Sequence, residues 1–116
     1  MKKLLILPFV LVLITVADTH AQIFNTSLTL TVRDDLGNTV EGATVQLFGT
    51  EADYLAEVNV VVEDVTDKKG VVKFKKLEPK PYYVIARKDD LDNSGGGEQI
   101  GKLEEGKFNK ATVIIQ

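Results

Sequence analysis

The segment D-K-K-G-V-V-K-F-K-K-L-E-P-K-P-Y-Y-V-I-A-R-K, residues 67–88, carries the pattern that decides the fold. Its first residues, Asp67–Gly70, are typical of a tight turn, because glycine adopts a positive φ angle without steric cost. Apolar and polar residues then alternate through Phe74, as in a strand with one buried face. Pro79 and Pro81 prevent continued strand pairing, and the alternation resumes after them. The segment therefore predicts a turn, a strand, a corner and a second strand.

Other alternating segments surround this unit. The clearest is T-S-L-T-L-T-V-R, residues 26–33, whose leucines and valine share one face while its serine and threonines share the other. Further strands are predicted at residues 43–48, 58–66, 99–103 and 110–116. About seven short strands favour an all-β fold, and we predict an antiparallel two-sheet Greek-key sandwich of the Ig/transthyretin type.

Three segments between these strands carry more specific predictions. Residues 49–57 lack alternation and contain helix-forming residues, so they predict a single helical turn within a connection that crosses between the sheets. The valines of residues 58–66 predict a central strand that is buried on much of both faces. Residues 89–98 contain three consecutive glycines among Asp, Asn and Ser, which predicts a flexible, exposed loop.

Residues 1–21 have the features of a secretory signal peptide. Two lysines precede a nearly continuous apolar run over residues 4–17, and Thr19 and Ala21 fit the positions before a cleavage site. We expect cleavage before Gln22, with cleavage after Ala17 as the alternative site. An uncleaved membrane anchor is the competing interpretation, but the run is shorter than the roughly 20 residues of a spanning helix.

The 116-residue chain is thus expected to consist of a signal peptide, residues 1–21, and one domain, residues 22–116. The domain is expected in the periplasm or at the cell surface, with no membrane span after cleavage. The whole chain has a net charge of −3 and no cysteine. A mildly acidic domain without a basic stripe is a poor partner for nucleic acid, and its stability must come without disulfides.

The chemistry missing from residues 22–116 argues against catalysis. The one histidine, His20, lies in the predicted signal peptide. The domain therefore lacks the residues of Ser-His-Asp and Cys-His nucleophilic sites and of histidine or thiolate zinc sites. Two carboxylates could in principle support glycoside hydrolysis, but no spacing marks such a pair. We predict that the protein is not an enzyme.

Three segments together resemble the carboxypeptidase regulatory-like domain: V-R-D-D-L-G-N-T-V-E-G-A-T-V-Q-L (residues 32–47), T-D-K-K-G-V-V-K-F-K-K-L-E-P (66–79) and Y-Y-V-I-A (82–86). The resemblance implies a transthyretin-like or prealbumin-like sandwich related to Cna-B-type modules. It also implies a secreted or cell-surface module that is not itself catalytic. A free-standing copy behind a signal peptide is similar to small secreted proteins of the Bacteroidetes type.

The Cna-B relationship raises the question of an internal Lys–Asn isopeptide bond. Asn109 stands near the last strand, where the family places the acceptor. The family places the lysine early in the first strand, and residues 26–33 contain no lysine. No isopeptide bond is therefore expected.

Calcium is the one cofactor that the sequence suggests. Asp90, Asp92 and Ser94 fit positions 1, 3 and 5 of an EF-hand loop, and Gly95 fits position 6. Gly101 occupies position 12, where that motif needs a bidentate glutamate. The alternative is a solvated acidic loop that discourages edge-to-edge aggregation.

A candidate binding surface follows from the side-chain alternation around the corner. Tyr82 is expected to point inward with its hydroxyl bonded near the corner, whereas Tyr83 points outward with Ile85. Lys73 and Lys75 are predicted on the same outer face as Tyr83, where they could meet an acidic partner. The alternatives are lysines that protect an edge strand and tyrosines that serve packing rather than sugar binding.

The sequence thus predicts a secreted, non-catalytic module for binding or protein interaction. Its partner would be a protein or a glycan at the cell envelope. The alternative is a structural envelope or fibre subunit that associates through its edge strands.

Overall fold

The computed structural model describes residues 25–116, so the proposed signal peptide and its cleavage site lie outside the described residues. The described chain forms these elements: β1 (Thr26–Asp34), β2 (Thr44–Phe48), α1 (Glu51–Ala56), β3 (Val62–Val65), β4 (Val71–Leu77), β5 (Tyr82–Lys88), β6 (Leu91–Asp92), β7 (Gln99–Ile100) and β8 (Phe108–Ile115). In residues 25–116, no helix has the length and apolarity that a membrane crossing requires.

The strands form two sheets, which confirms the predicted β-sandwich. Sheet A has the order β4-β1-β8, and sheet B has the order β3-β2-β5, with β6 and β7 both paired to β5. One pair departs from the antiparallel prediction, because β8 runs parallel to β1, from Ser27 opposite Phe108 to Asp34 opposite Ile115. A parallel pair cannot be closed by a hairpin, so local turn signals in the sequence do not reveal it.

The core lies between the sheets and follows the alternation of the sequence. β1 contributes Leu28, Leu30 and Val32, all with no exposed surface. The inward residues of the other main strands complete the same cluster: Val45, Leu47, Val72, Phe74, Leu77, Tyr82, Val84, Ala86, Val113 and Ile115. Burying an aliphatic side chain of this size is worth roughly 1.5–3 kcal/mol, so this cluster supplies the main favourable term in folding.

The tight turn predicted at Asp67–Gly70 is present and joins β3 to β4. The Asp67 carboxylate accepts hydrogen bonds from the backbone N–H groups of Lys69 (2.8 Å) and Val71 (3.0 Å). Gly70 has a φ of 75°, and a Cβ atom there would lie 2.8 Å from the backbone nitrogen of Val40. Glycine is therefore required at this position both for its backbone conformation and for the close approach.

The prediction of a buried central strand at residues 58–66 is wrong. β3 covers only Val62–Val65 and lies at the edge of sheet B. Four valines of this segment are exposed: Val58, Val60, Val61 and Val65. An unbroken apolar run has no period, and it therefore cannot distinguish a strand covered on both faces from an apolar edge.

Residues 49–57 do contain the predicted helical turn, but they do not cross between the sheets. α1 connects β2 to β3, which are antiparallel neighbours within sheet B. Thr50 caps the helix, because its hydroxyl accepts a hydrogen bond from the Asp53 N–H at 3.1 Å. Glu57 ends it with a left-handed backbone conformation, φ 55°.

α1 lies against the outer face of sheet B and changes the environment of that face. Ile85 was expected on the outer face with Tyr83, and Phe48 lies on that face opposite Tyr83, yet both Phe48 and Ile85 are buried. The Phe48 ring packs edge-on against Tyr54 of α1, with 6.1 Å between ring centroids. Alternation predicts the face on which a side chain lies, but not whether another element covers that face.

Half of the residues in the predicted exposed loop, residues 89–98, are exposed, but the segment also contains the short strand β6 and one buried residue. Asn93 is buried in it, and its amide oxygen accepts a hydrogen bond from the Ala86 N–H at 2.9 Å. The amide nitrogen donates to the carbonyl oxygens of Val84 (3.0 Å) and Gly97 (2.9 Å). Asn93 thereby supplies the partners that β5 would otherwise lack between β6 and β7.

Asn93→Ala should lower the free energy of unfolding by about 3 kcal/mol, because it leaves buried backbone groups of β5 and the loop without partners. Urea unfolding followed by circular dichroism measures the change. Ser94→Ala is the matched control at the exposed neighbouring position, and it should change the stability by less than about 0.5 kcal/mol. Equal stability of Asn93→Ala and the wild type would show that the loop does not depend on this amide.

Candidate functional site

Tyr82 has the predicted inward orientation at the corner. Its ring is buried, and its hydroxyl donates a hydrogen bond to the Glu78 carbonyl oxygen at 3.0 Å. Burial raises the pKa of this hydroxyl, and the hydrogen bond with Glu78 opposes that rise. Tyr82 therefore fixes the corner between β4 and β5 rather than serving as a surface group.

The structure separates the residues that were predicted to form one binding face. Lys73 and Lys75 lie on β4 of sheet A, whereas Tyr83 lies on β5 of sheet B. The corner moves the chain from one sheet to the other, so the outer faces of β4 and β5 are on opposite sides of the sandwich. The expectation that the three residues share an outer face is wrong. The Lys73 ammonium instead lies 5.1 Å from the ring centroid of Phe108.

Tyr83 takes part in a different cluster, together with α1. Its ring stacks on Tyr54 with 5.4 Å between centroids. The Tyr54 hydroxyl donates to the Glu98 carboxylate at 3.3 Å, and burial followed by the negative charge of Glu98 raises the pKa of this hydroxyl. Beside the two rings is an open cleft of about 550 Å³, which we call the tyrosine cleft, and Leu55 at its rim is 71% exposed.

An ion pair holds α1 beside this cleft. The Arg87 guanidinium makes two hydrogen bonds to the Glu57 carboxylate, at 2.8 and 2.9 Å. The hydrogen bond with Arg87 lowers the pKa of Glu57, and the same bond raises the pKa of Arg87. Both side chains are about half exposed, so the pair orients the helix more than it stabilises the fold.

Sequence patterns did not reveal the tyrosine cleft, because Tyr54 lies in a segment without strand periodicity. The composition of residues 49–57 predicted a helical turn that includes Tyr54, but it did not indicate which strands that turn packs against. The resulting surface offers aromatic faces, an apolar side chain and carboxylate acceptors. These groups can bind a ligand by contact, but they include no activated nucleophile.

Of the three proposed calcium ligands, Asp92 and Ser94 are joined by a hydrogen bond within the loop. Asp90 lies in the two-residue turn between β5 and β6, and Asp92 lies on β6. The Asp92 carboxylate accepts a hydrogen bond from the Ser94 N–H at 2.9 Å, and this bond lowers the pKa of Asp92. Across residues 25–116, no three His, Cys, Asp or Glu side chains cluster as a metal site. Calcium binding by Asp90, Asp92 and Ser94 stays a prediction.

Asn109 uses its side-chain amide to organise the turn before β8. Its oxygen accepts a hydrogen bond from the Glu104 N–H at 2.8 Å. Its nitrogen donates to the carbonyl oxygens of Ser27 (3.0 Å) and Glu104 (3.2 Å). The residue at the family's acceptor position thus connects the last strand to the first through hydrogen bonds.

A second surface is the apolar edge formed by Val58, Val60, Val61 and Val65, which we call the valine edge. These four side chains are between 37% and 51% exposed. Glu63 and Asp64 lie among them on β3, and both are exposed. Val65 lies on the edge strand β3, whereas Val58, Val60 and Val61 lie in the segment that leads into it. Adjacent exposed apolar side chains of this kind are typical of protein contact surfaces.

The chain is similar to solved structures of β-sandwich proteins. It is 21% identical to the Bacillus anthracis TIE protein, with a TM-score of 0.56, over 78% of this chain and 16% of that one. It is 14% identical to the pilus 2b backbone protein of group B streptococcus, with a TM-score of 0.58, over 78% and 40% of the two chains. For BcpA, the major pilin subunit of Bacillus cereus, the values are 18%, 0.50, 78% and 29%.

These likenesses show the fold and confirm the predicted β-sandwich class. This chain covers less than half of each of the three longer proteins. The sequence matches no protein-family model and no curated protein.

The Glu57–Arg87 pair predicts a pH dependence of stability. Because the pKa of Glu57 is lowered in the folded protein, its contribution is present above the ordinary glutamate pKa and is lost as the pH falls through the lowered value. Glu57→Gln should therefore lower the thermal midpoint at pH 7 but not in strong acid, where both proteins carry a neutral side chain. Glu105→Gln, in an exposed turn, is the control and should have little effect at either pH. A deficit of Glu57→Gln that persists unchanged in acid would contradict this role.

The calcium hypothesis makes its own prediction about stability. A ligand that binds only the folded state stabilises it by RT ln(1 + [L]/Kd), so saturating calcium should raise the thermal midpoint by several degrees relative to EDTA. The double variant Asp90→Asn/Asp92→Asn should lose this shift. Equal midpoints of the wild-type protein in calcium and in EDTA would reject the site.

Proposed function

We propose that this protein is a secreted, non-catalytic module of the carboxypeptidase regulatory-like type that works by binding other proteins. In this proposal residues 1–21 direct export and are removed, and residues 22–116 act in the periplasm or at the cell surface. The β-sandwich supplies a rigid frame, and contacts with partners are made by the parts of that frame that remain exposed.

The valine edge is the observation that carries this proposal. A soluble sandwich ordinarily protects its edge strands with charge, proline or covering loops, and it exposes apolar residues singly. Here four valines are exposed along one short edge segment. A partner protein that covers this segment would remove their apolar surface from water, at a gain of roughly 25 cal/mol per Å² before the costs of association.

The absence of catalytic residue types supports a binding role over an enzymatic one. Residues 22–116 contain no histidine and no cysteine. The tyrosine cleft contains hydrogen-bond acceptors and aromatic faces, and its tyrosine hydroxyl has a raised pKa, which is opposite to the change that activates a nucleophile. A glycan could use these aromatic faces, but the cleft has no feature that selects a sugar.

A structural subunit is the second candidate, because two of the similar solved proteins are a pilus backbone protein and a major pilin subunit. In that case the partner protein is another subunit of the same assembly. The two candidates differ in the identity of the partner and not in the kind of contact.

Photo-crosslinking in the source cells tests the binding role. A photoreactive amino acid at position 65, in the valine edge, should yield a covalent adduct with a partner protein, which mass spectrometry then identifies. The control is the same amino acid at position 36, because Leu36 is 83% exposed in the turn between β1 and β2. Equal adduct yields at the two positions, or none at position 65, would contradict the proposal.

Export has a separate test. The intact mass of the protein recovered from the envelope or the medium should equal that of residues 22–116, with residue 22 at the amino terminus. A protein that retains residues 1–21, or that stays in the cytoplasmic fraction, would contradict a cleaved signal peptide.

A further inference from the structure

The strands β3, β4 and β8 lie at sheet edges, and β4 carries features that limit further pairing. On β4, the exposed Lys73 and Lys75 line the edge, and Lys76 interrupts the strand with a left-handed backbone, φ 57°. The pairing of β4 with β1 also shifts register between Thr26 and Leu28. Charged side chains and bulges of this kind discourage strand addition.

β3 is short, and the side chain of Asp64 already bonds to one of the backbone groups on its free edge. The Asp64 carboxylate accepts a hydrogen bond from the Val65 N–H at 2.8 Å. The hydrogen bond from the Thr66 N–H to Ala43 shows that even-numbered residues of this strand face β2. The backbone groups of Glu63 therefore point away from the sheet and can accept a partner strand.

Part of the outer edge of β8 is open. The Ile114 N–H donates away from β1, to the Gly96 carbonyl oxygen at 2.8 Å, whereas the Lys107 carbonyl oxygen accepts from Ser27 of β1 at 3.1 Å. Backbone groups alternate along a strand, so those of Lys110 and Thr112 also point away from β1. Among the described residues, neither of these two has a backbone hydrogen bond on that side.

A groove of about 320 Å³ runs beside this open edge, between β8 and residues 97–103. Its apolar lining includes Ile100, Leu103 and Val113, which belong to the core cluster. Its charged residues are Lys102 and Lys110. We call it the basic groove. These three side chains are already largely buried, so an added strand would bind β8 mainly through backbone hydrogen bonds and would lie beside them.

The valine edge has the complementary chemistry. It combines exposed valines with the acidic Glu63 and Asp64, whereas the basic groove combines an apolar lining with lysines. Pairing β8 with β8 of another copy would bring lysines together, and pairing β3 with β3 would bring acids together. Pairing β3 with β8 instead brings opposite charges together. Because contacts between like charges are destabilising, the β3–β8 pair is favoured over the two symmetric pairs.

From these observations, we infer that the basic groove of one copy binds the valine edge of a second copy of this chain. β3 contacts β4 on one side of the sandwich, and β8 contacts β6 on the other, so the two surfaces are at opposite sides. The contact is therefore heterologous and leaves one free surface at each end, which produces an open chain of subunits. The inference rests on the proposed function and adds the identity of the partner.

Charge reversal tests the contact. Protein produced from the full 116-residue chain should form oligomers of increasing size with concentration at low salt, as measured by light scattering and sedimentation velocity. Lys110→Glu alone, and Glu63→Lys/Asp64→Lys alone, should each weaken association by about tenfold or more. An equimolar mixture of the two variants should associate again, because the groove that carries Lys110→Glu then meets a basic β3, and the unchanged basic groove meets an acidic β3.

Two further variants control for folding and for the site. Lys75→Glu reverses a charge on β4 and should associate like the wild type. Thr112→Pro removes an outward N–H without removing a hydrogen bond to β1, so it should block association while the thermal midpoint shows that the sandwich is intact. If Lys75→Glu were the only variant that weakened association, the contact would lie on β4 and the inference would be overturned.

The inference is also overturned if the wild type stays monomeric at all concentrations or if the mixed variants stay monomeric. These failures differ from a failure of the proposed function. A crosslink from position 65 to a different protein, with a monomeric wild type, would reject the self-association while retaining the binding role. Absence of any crosslink would reject both.

Discussion

The parallel pairing of β1 with β8 is the constraint on which the rest of the structure depends. It joins the first strand to the last and makes β1 the central strand of sheet A. The three aliphatic side chains of β1 that face sheet B are fully buried only because β4 and β8 flank them. Since this pair closes a long loop, its entropic cost must be met by contacts that form elsewhere in the core. The same pairing leaves β8 at the edge of the sheet.

The edge of sheet B that lies beyond β5 is covered by two short strands and a loop. β6 pairs with one end of β5 and β7 pairs with the other end. Between these two pairings, the side chain of Asn93 bonds to the backbone of β5. Gly96 lies directly against β8, where a Cβ atom would collide with the Ile114 carbonyl oxygen. The glycine-rich segment thus contacts β8 of sheet A, and the absence of a side chain at Gly96 permits this close approach. It covers the end of β8 and brings Gly97 close to the Thr112 carbonyl oxygen, but within residues 25–116 no backbone hydrogen bond reaches the outward N–H groups of Lys110 and Thr112.

The sequence predicted the features that depend on alternation and on turn chemistry. β1, the Asp67–Gly70 turn and the proline corner with its bonded Tyr82 follow from residue period, glycine and proline, which act locally. The sequence could not predict features that depend on neighbours distant in the chain. The edge position of β3, the cover of Phe48 by α1 and the separation of Tyr83 from Lys73 all depend on which sheet each strand joins. A valine run carries no information about that choice.

The candidate surfaces arise from the same topology. The tyrosine cleft exists because α1 packs on sheet B without leaving it, and the valine edge exists because β3 ends that sheet. These surfaces are suited to non-covalent binding, because they present aromatic faces, valines and charges of both signs. The sandwich therefore has a conventional core, but its edges differ in how they are protected. Its two opposite sides consequently present different surfaces to a partner.

Amide hydrogen exchange at single-residue resolution tests the central claim, which is that β8 presents a free edge through which the protein associates. In dilute protein the N–H groups of Lys110 and Thr112 should exchange quickly, whereas those of Ala111 and Val113 are protected by β1. At concentrations where the protein associates, the first two should become protected as well. Slow exchange of Lys110 and Thr112 in the dilute monomer, or fast exchange in the associated protein, would contradict the claim.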